Sequence, residues 1–109
     1  MSGMSKIFKY AVIGAGILAL PALAAGPILV SQKGRTFAPG KLTVSRGDVV
    51  RFLNDDEYTH HVFMKSTSFN YDSGEIEAGK FAETAMTVPG SFEVRCAIHP
   101  KMRLVLEVK

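Results

Sequence analysis

Short apolar segments separated by turn residues run from residue 28 to the end of the sequence, and they constrain the fold more than any other feature. In one such segment Phe92, Val94 and Cys96 alternate with polar residues, a pattern that places one face of a β-strand in a core. Turn sequences such as Ser73-Gly74 and Pro89-Gly90 separate the segments. Short strands with turn signals about every 8–12 residues are typical of sandwiches and barrels. The pattern predicts an all-β domain, a small Greek-key β-sandwich.

The predicted strands are spread along the whole chain, without an internal sequence repeat. They cover residues 28–31, 41–45, 49–53, 60–65, 81–88 and 91–96, and continue from residue 104 onward. Residues 54–57, 73–74 and 78–80 are predicted to be loops or turns, because Gly, Asn, Asp and Ser favour such conformations. A single helical turn around residues 75–78 is the one helical feature that the sequence predicts.

The first 24 residues have the composition of an export signal. Two lysines precede an apolar run over residues 10–20, and Ala22-Leu23-Ala24 follows. This is the order of a secretory signal peptide with an A-x-A cleavage site, and the run is shorter than the ~20 residues of a transmembrane helix. We predict a signal peptide at 1–24, a domain at 25–109 and a periplasmic location without stable membrane insertion. An uncleaved anchor is the alternative, because residues 28–30 are also apolar.

Charge and cysteine content narrow the possible functions. The formal charge is +3 at pH 7, and the lysines at positions 6 and 9 belong to the predicted signal peptide. The remaining charges of both signs are interspersed, whereas nucleic-acid-binding domains cluster basic residues on one face. The sequence contains one cysteine, Cys96, and an unpaired cysteine in an exported protein is a candidate reactive or metal-bound thiol. We therefore predict no nucleic-acid partner and a chemical role for Cys96.

Three potential metal ligands lie close together near the end of the sequence. Cys96, His99 and Met102 follow one another at three-residue intervals between two predicted strands, and Pro100 disfavours a helix there. A thiolate and an imidazole select copper, zinc or iron–sulfur chemistry, and two histidines, one cysteine and a weak axial methionine form the blue-copper arrangement. The thioether of Met102 therefore favours one copper ion over zinc at this segment.

The blue-copper arrangement requires a second histidine from elsewhere in the chain. The two other histidines, His60 and His61, are adjacent. Adjacent residues of a strand point to opposite faces, so we expect one of them to reach the metal. Strand parity does not choose between them, because they lie at the junction of a loop and a strand.

These residues resemble those of the cupredoxin family, which includes plastocyanin, pseudoazurin and amicyanin. Residues 47–54 resemble the strand before the first ligand, and Pro89-Gly90-Ser91-Phe92 resembles the family's entry into the cysteine loop. Thr59-His60-His61-Val62 is similar to the family's Pro-His-Asn-Val segment, which implies that His60 is the ligand and that His61 replaces an asparagine. The spacing of the cysteine loop is the short form, closest to that of amicyanin.

The resemblance implies a function and a mechanism. His60, Cys96, His99 and Met102 would hold a type 1 copper ion, and the protein would carry single electrons rather than act as an enzyme. The expected partner of this monomer is a c-type cytochrome or a dehydrogenase that docks transiently near His99. Asn54 and His61 are candidates for hydrogen bonds that orient the ligands. A periplasmic copper-binding or delivery protein with the same ligands is the alternative.

Overall fold

The computed structural model describes residues 26–109, which form nine β-strands and no helix. The strands are β1 (Ile28–Gln32), β2 (Phe37–Ala38), β3 (Lys41–Val44), β4 (Val49–Asn54), β5 (His60–Lys65), β6 (Asn70–Ile76), β7 (Phe81–Ala85), β8 (Gly90–Cys96) and β9 (Arg103–Val108). The signal peptide predicted at 1–24 lies outside the described residues. Within residues 26–109 there is accordingly no helix that could span a membrane.

The strands form two mixed sheets. One has four strands in the order β2-β1-β4-β7, and the other has five strands in the order β3-β9-β8-β5-β6. The β1–β4 and β3–β9 pairs are parallel, and the other pairs are antiparallel. The predicted all-β sandwich is therefore confirmed for the described residues.

Side-chain alternation builds a single core between the two sheets. Every second residue of β8 and β9 is buried, as the period of a strand requires. Phe52 of β4 lies at the centre, with the ring of Phe37 edge-on at 6.4 Å and that of Tyr71 stacked at 6.2 Å. The buried apolar residues are Val30, Phe37, Val44, Val50, Phe52, Val62, Met64, Ile76, Met86, Phe92, Val94, Cys96, Met102, Leu104, Leu106 and Val108.

Strand β6 corrects the sequence prediction. Ser73-Gly74 was predicted to be a turn and residues 75–78 a helical turn, but Asn70–Ile76 is a continuous strand beside β5. The register between the two strands shifts between His61 and Phe63, and Gly74 there has a φ of 71°. A glycine with positive φ is typical of a β-bulge. The turn-like sequence thus belongs to a bulge inside the strand.

Strand β7 is shorter than predicted, because it ends at Ala85 instead of residue 88. The chain beyond it leaves the ladder to bond with the loop before β4. The Met86 amide donates to the Asp48 carbonyl at 2.8 Å, and the Gly47 amide donates to the Met86 carbonyl at 2.7 Å. These bonds satisfy the backbone without further sheet pairing.

Candidate metal centre

Two strands of the five-stranded sheet bring the predicted ligands to one end of the sandwich. His60 is the first residue of β5 and Cys96 is the last residue of β8. The two strands are antiparallel, with Val62 opposite Cys96. The chain then loops from Cys96 to Met102, which immediately precedes β9. Residues far apart in sequence therefore meet where these strands begin and end.

His60 and Cys96 are in direct contact. The Nδ1 atom of His60 lies 3.6 Å from the sulfur of Cys96. Both residues are buried, and His60 has no solvent exposure. The backbone amide of His61 donates a hydrogen bond of 3.4 Å to the same sulfur. The sulfur of Cys96 therefore has a backbone donor on one side and an imidazole nitrogen on the other.

The other nitrogen of the His60 ring is held by a carboxylate. Nε2 of His60 donates to Oδ2 of Asp56 at 2.7 Å, and the side chain of Asp56 is only 6% exposed. The backbone amides of Gly34 and Arg35 also donate to this carboxylate. A proton fixed on Nε2 leaves Nδ1 free to donate its lone pair on the cysteine side.

Burial alone would raise the pKa of Asp56. The hydrogen bonds from His60 and from the amides of Arg35 and Gly34 outweigh burial and hold its pKa below the usual value. Asp56 therefore remains a carboxylate at neutral pH, as an acceptor for His60 must. The sequence did not single out this residue, because Asp55, Asp56 and Glu57 are adjacent and equally able to face the site.

Asn54 organises the loop that carries Asp56. Its buried amide nitrogen donates to the Tyr58 carbonyl at 2.7 Å and to the Ile76 carbonyl at 2.8 Å. Its side-chain oxygen accepts the Asp56 amide at 2.8 Å. Asn54 contacts no predicted ligand through these bonds and acts on the site through the loop.

His99 lies against His60. The two rings meet nearly edge to face, with centroids 5.0 Å apart and an interplanar angle of 73°. Nε2 of His99 is buried and has no hydrogen-bond partner within residues 26–109. Burial lowers the pKa of His99, and the electrostatic influence of the His60 ring and of the Arg35 guanidinium lowers it further, while Asp56 opposes them. A neutral imidazole is the form that binds a metal.

Met102 is buried beneath the same loop. Its amide donates to the His99 carbonyl at 3.0 Å, and the Ala97 amide donates to the His61 carbonyl at 2.8 Å. The loop is thus closed on itself at one point and attached to β5 at another. The thioether of Met102 is therefore enclosed at the same end of the sandwich as His99.

His61 points away from this cluster. Its side chain is 25% exposed and pairs through Nε2 with the carboxylate of Asp72 on β6. That carboxylate also accepts the amide of Gly74 in the bulge. Only the backbone of His61 contacts Cys96. The structure therefore separates the adjacent histidines, with His60 inside and His61 on the outer face.

The donor atoms at this end suit a soft transition metal. They comprise a thiol sulfur, imidazole nitrogens and a thioether, a set that fits copper better than calcium or magnesium. Across residues 26–109, no three side chains of the types His, Cys, Asp and Glu converge on one point. His60 and Cys96 form the close pair, and His99 joins them through its ring contact with His60.

A surface cleft opens beside His99. It has a volume of about 420 Å³, and its lining residues are Arg35, Ile98, His99, Pro100, Lys101 and Met102. The Arg35 guanidinium stacks over the exposed ring of Tyr58 at 4.6 Å, and that ring meets His99 at 6.1 Å. Arg35 has a φ of 56°, although it is not glycine. The surface around His99 is therefore apolar with a positive rim, and the sequence did not single out Arg35 or Tyr58 for it.

Comparison with solved structures identifies the fold. A variant of amicyanin in its reduced Cu(I) form at pH 4 superposes with a TM-score of 0.72 and 22% identity, over 79% of this chain and 85% of that chain. A purple cupredoxin from Nitrosopumilus maritimus superposes with a TM-score of 0.68 and 17% identity, over 75% and 99%.

A larger protein contains a similar domain. A copper-containing nitrite reductase from Thermus scotoductus SA-01 superposes with a TM-score of 0.74 and 23% identity, over 89% of this chain but 25% of that chain. No family model and no curated protein matches the sequence. Because the likeness extends over most of this chain in each case, the chain has the cupredoxin fold.

Proposed function

We propose that this protein is a small electron carrier that binds one copper ion through His60, Cys96, His99 and Met102. The contact between Nδ1 of His60 and the sulfur of Cys96, 3.6 Å apart in a buried pocket, is the observation that carries the proposal. A metal bound at this end would take the thiolate and two imidazole nitrogens as strong ligands and the thioether as a weak one. Copper would supply the one-electron change between Cu(I) and Cu(II).

The residues of the chain have distinct tasks in this proposal. Cys96 supplies the sulfur, which also accepts a hydrogen bond from the His61 amide. Asp56 holds the proton of His60 on Nε2 and keeps Nδ1 directed to the sulfur, as outer carboxylates do for metal-binding histidines. Loop 97–102 contributes His99 and Met102 from one short segment. Because two ligands come from strand ends, the sandwich limits how far the set can rearrange.

Two considerations favour electron transfer over catalysis. Four protein ligands would leave the metal without the open position that a catalytic site keeps for substrate. The solved structures with this fold include amicyanin in a reduced Cu(I) form and a purple cupredoxin, and by analogy we infer that a copper ion changes its oxidation state here.

The surface around His99 suits a transient redox partner. His99 borders both the ligand cluster and the surface cleft, so its ring offers a short route for electrons. Ile98 and Pro100 are exposed apolar residues there, and Arg35 and Lys101 add positive charge. We infer that a c-type cytochrome or a dehydrogenase with an acidic docking face binds transiently at this surface. The electron carrier itself is proposed to be a monomer.

The proposed location is the periplasm of a bacterial cell envelope. The order of lysines, apolar run and small residues within 1–24 supports export by a cleaved signal peptide. An exported chain would meet partners of the same compartment. Detection of a mature amino terminus after Ala24 in the exported protein would test this part of the proposal.

Visible spectroscopy of the copper-loaded protein tests the central claim. Oxidised wild-type protein should bind one copper ion and show a strong visible band from thiolate-to-copper charge transfer. Cys96→Ser should remove the band while the β-sheet circular dichroism persists, because serine offers no thiolate. Met86→Leu is a suitable control, since Met86 is buried and bonds to the loop before β4, whereas the ligand cluster lies at the opposite end of β4. A colourless wild type that binds zinc instead would overturn the proposal.

A further inference from the structure

Arg95 connects strand β8 to the middle of the loop of residues 97–102, which we call the ligand loop. It directly precedes Cys96, and its side chain is 28% exposed on the outer face of the sheet. Its Nη2 donates to the carbonyl oxygen of Pro100 at 2.6 Å. Pro100 follows His99 and lies two residues before Met102. A bond at Pro100 therefore restrains the backbone between the two loop ligands.

The loop has few other attachments. Within the described part of the chain, its remaining backbone bonds are Ala97 to the His61 carbonyl and Met102 to the His99 carbonyl. The first holds only the beginning of the loop, and the second joins two residues of the loop itself. The Arg95 bond is the one that ties the middle of the loop to the sandwich. Its donor is charged, and such hydrogen bonds are roughly twice as strong as neutral ones.

The surroundings of Arg95 argue against a purely sheet-stabilising role. Arg95 and Arg103 lie directly opposite each other in the β8–β9 pair, where like charges destabilise a sheet. Glu93 bridges them, with Oε1 at 3.1 Å from Arg95 and Oε2 at 3.3 Å from Arg103. Nε of Arg95 is buried without a hydrogen-bond partner within residues 26–109. The contact that only Arg95 makes is the one to Pro100.

We propose that Arg95 is a positioning residue that clamps the ligand loop through Pro100. The clamp keeps His99 and Met102 beside His60 and Cys96, and so slows the release of the metal. The effect on metal release rests on the proposed function. The clamp itself is a property of the metal-free protein, and the two can be tested apart.

Amide hydrogen exchange in the metal-free protein tests the clamp. In Arg95→Met, the amide of Met102 should exchange about tenfold faster than in the wild type, because its protection depends on local opening of the loop. Arg103→Met is the matched control: it removes the same charge and the same Glu93 partner without touching Pro100. Equal exchange in Arg95→Met and the wild type would overturn the clamp.

Metal release tests the consequence. Copper(II)-loaded protein is mixed with excess EDTA, and the loss of bound copper is followed by absorbance and metal analysis. Release from Arg95→Met should be about tenfold faster, within the range of outer-ligand substitutions, while Arg103→Met should match the wild type. If Arg95→Met binds copper and releases it at the wild-type rate, the proposed effect on metal release is overturned. If the wild type holds no copper but exchange still quickens, the clamp stands and the proposed function fails.

A second variant covers the case in which Arg95→Met does not fold. Arg95→Lys keeps the charge, but a single ammonium lacks the planar fork that serves Glu93 and Pro100 together. It should quicken exchange and release in the same direction by a smaller factor. Wild-type values for both in this variant would count against the clamp.

Discussion

The Nδ1 atom of His60 lies 3.6 Å from the sulfur of Cys96, although the two residues are 36 positions apart in the chain. The neighbouring His61 contributes only its backbone amide to that sulfur. The pairing of β5 with β8 therefore gives two adjacent histidines different relations to one cysteine. This difference can be measured directly.

Substitution of each histidine in turn separates their roles. His60→Ala should abolish or strongly alter the visible band of the copper-loaded protein, because a nitrogen next to the sulfur is lost. His61→Ala should keep the band and lower stability modestly, since its side chain pairs with exposed Asp72 on the outer face. Absorption spectra and copper stoichiometry of both variants provide the measurement. A spared site in His60→Ala and a lost one in His61→Ala would reverse the assignment.

Substitution of Met102 should move the reduction potential. Met102→Gln should lower it, because a harder oxygen donor favours Cu(II), and Met102→Leu should raise it, because loss of the donor favours Cu(I). Voltammetry of the copper-loaded variants gives both values. Met86→Leu should leave the potential unchanged, because Met86 is buried against the loop before β4 and not against the ligand loop. If both Met102 variants keep the wild-type potential, Met102 is a core residue only.

Lys101→Glu should slow association with an acidic redox partner at low salt. Lys101 lines the cleft beside His99, and rim charges act mainly on the association rate and its salt dependence. Stopped-flow electron transfer to a partner, measured across ionic strengths, gives the rate. Lys65→Glu is the control with the same charge change, because Lys65 ends β5 at the far end from His60.

A change of the apolar part of the surface should act differently. Ile98→Asp should weaken docking at every salt concentration, because it removes exposed apolar surface next to His99. The copper spectrum should persist in both variants. Unchanged electron-transfer rates in both would place the electron exit elsewhere on the protein.

Asp56→Asn should change how stability depends on pH. The pKa of Asp56 in the folded protein lies below its ordinary value of 3.8, so its carboxylate stabilises the fold above that value. This contribution is lost as the pH falls through the lower, folded-state pKa. In urea unfolding of the metal-free protein, the difference in the free energy of unfolding between wild type and variant should be largest at pH 7. This difference should shrink below about pH 4.

The exposed neighbour Glu57 provides the control for this experiment. Glu57→Gln should have the same free energy of unfolding as the wild type at each pH, because the side chain of Glu57 is exposed to solvent. A gap for Asp56→Asn that stays constant from pH 7 to pH 3 would show that the carboxylate has no linked role in folding.

The sequence predicted most strands because alternating apolar residues mark a face, as in β8 and β9. It failed at β6, where the glycine of a bulge has the same local signature as a turn. It could not choose between His60 and His61 by parity, since the choice depends on where β5 begins. The structure places the ring of His60, and only the backbone amide of His61, beside the sulfur of Cys96.

The surroundings of the site were harder to foresee than the ligands. Asp56 contacts His60 because the loop between β4 and β5 folds against the turn at Gly34 and Arg35. No local sequence pattern predicts that contact. Arg95 looked like an ordinary outward residue of a strand. Its bond to Pro100 depends on the path of the loop, which the sequence does not specify.

The left-handed backbone of Arg35 is unfavourable for the stability of the fold, at a residue that lines the cleft beside His99. A residue other than glycine in this conformation costs about 1–3 kcal/mol, and stacking on Tyr58 returns about 0.5–1 kcal/mol at an exposed site. Glycine would relieve the strain but gains freedom in the unfolded chain, so Arg35→Gly should melt close to the wild-type temperature. A screen for folded protein would therefore pass this variant, and only an assay with the proposed electron-transfer partner would detect the loss of Arg35.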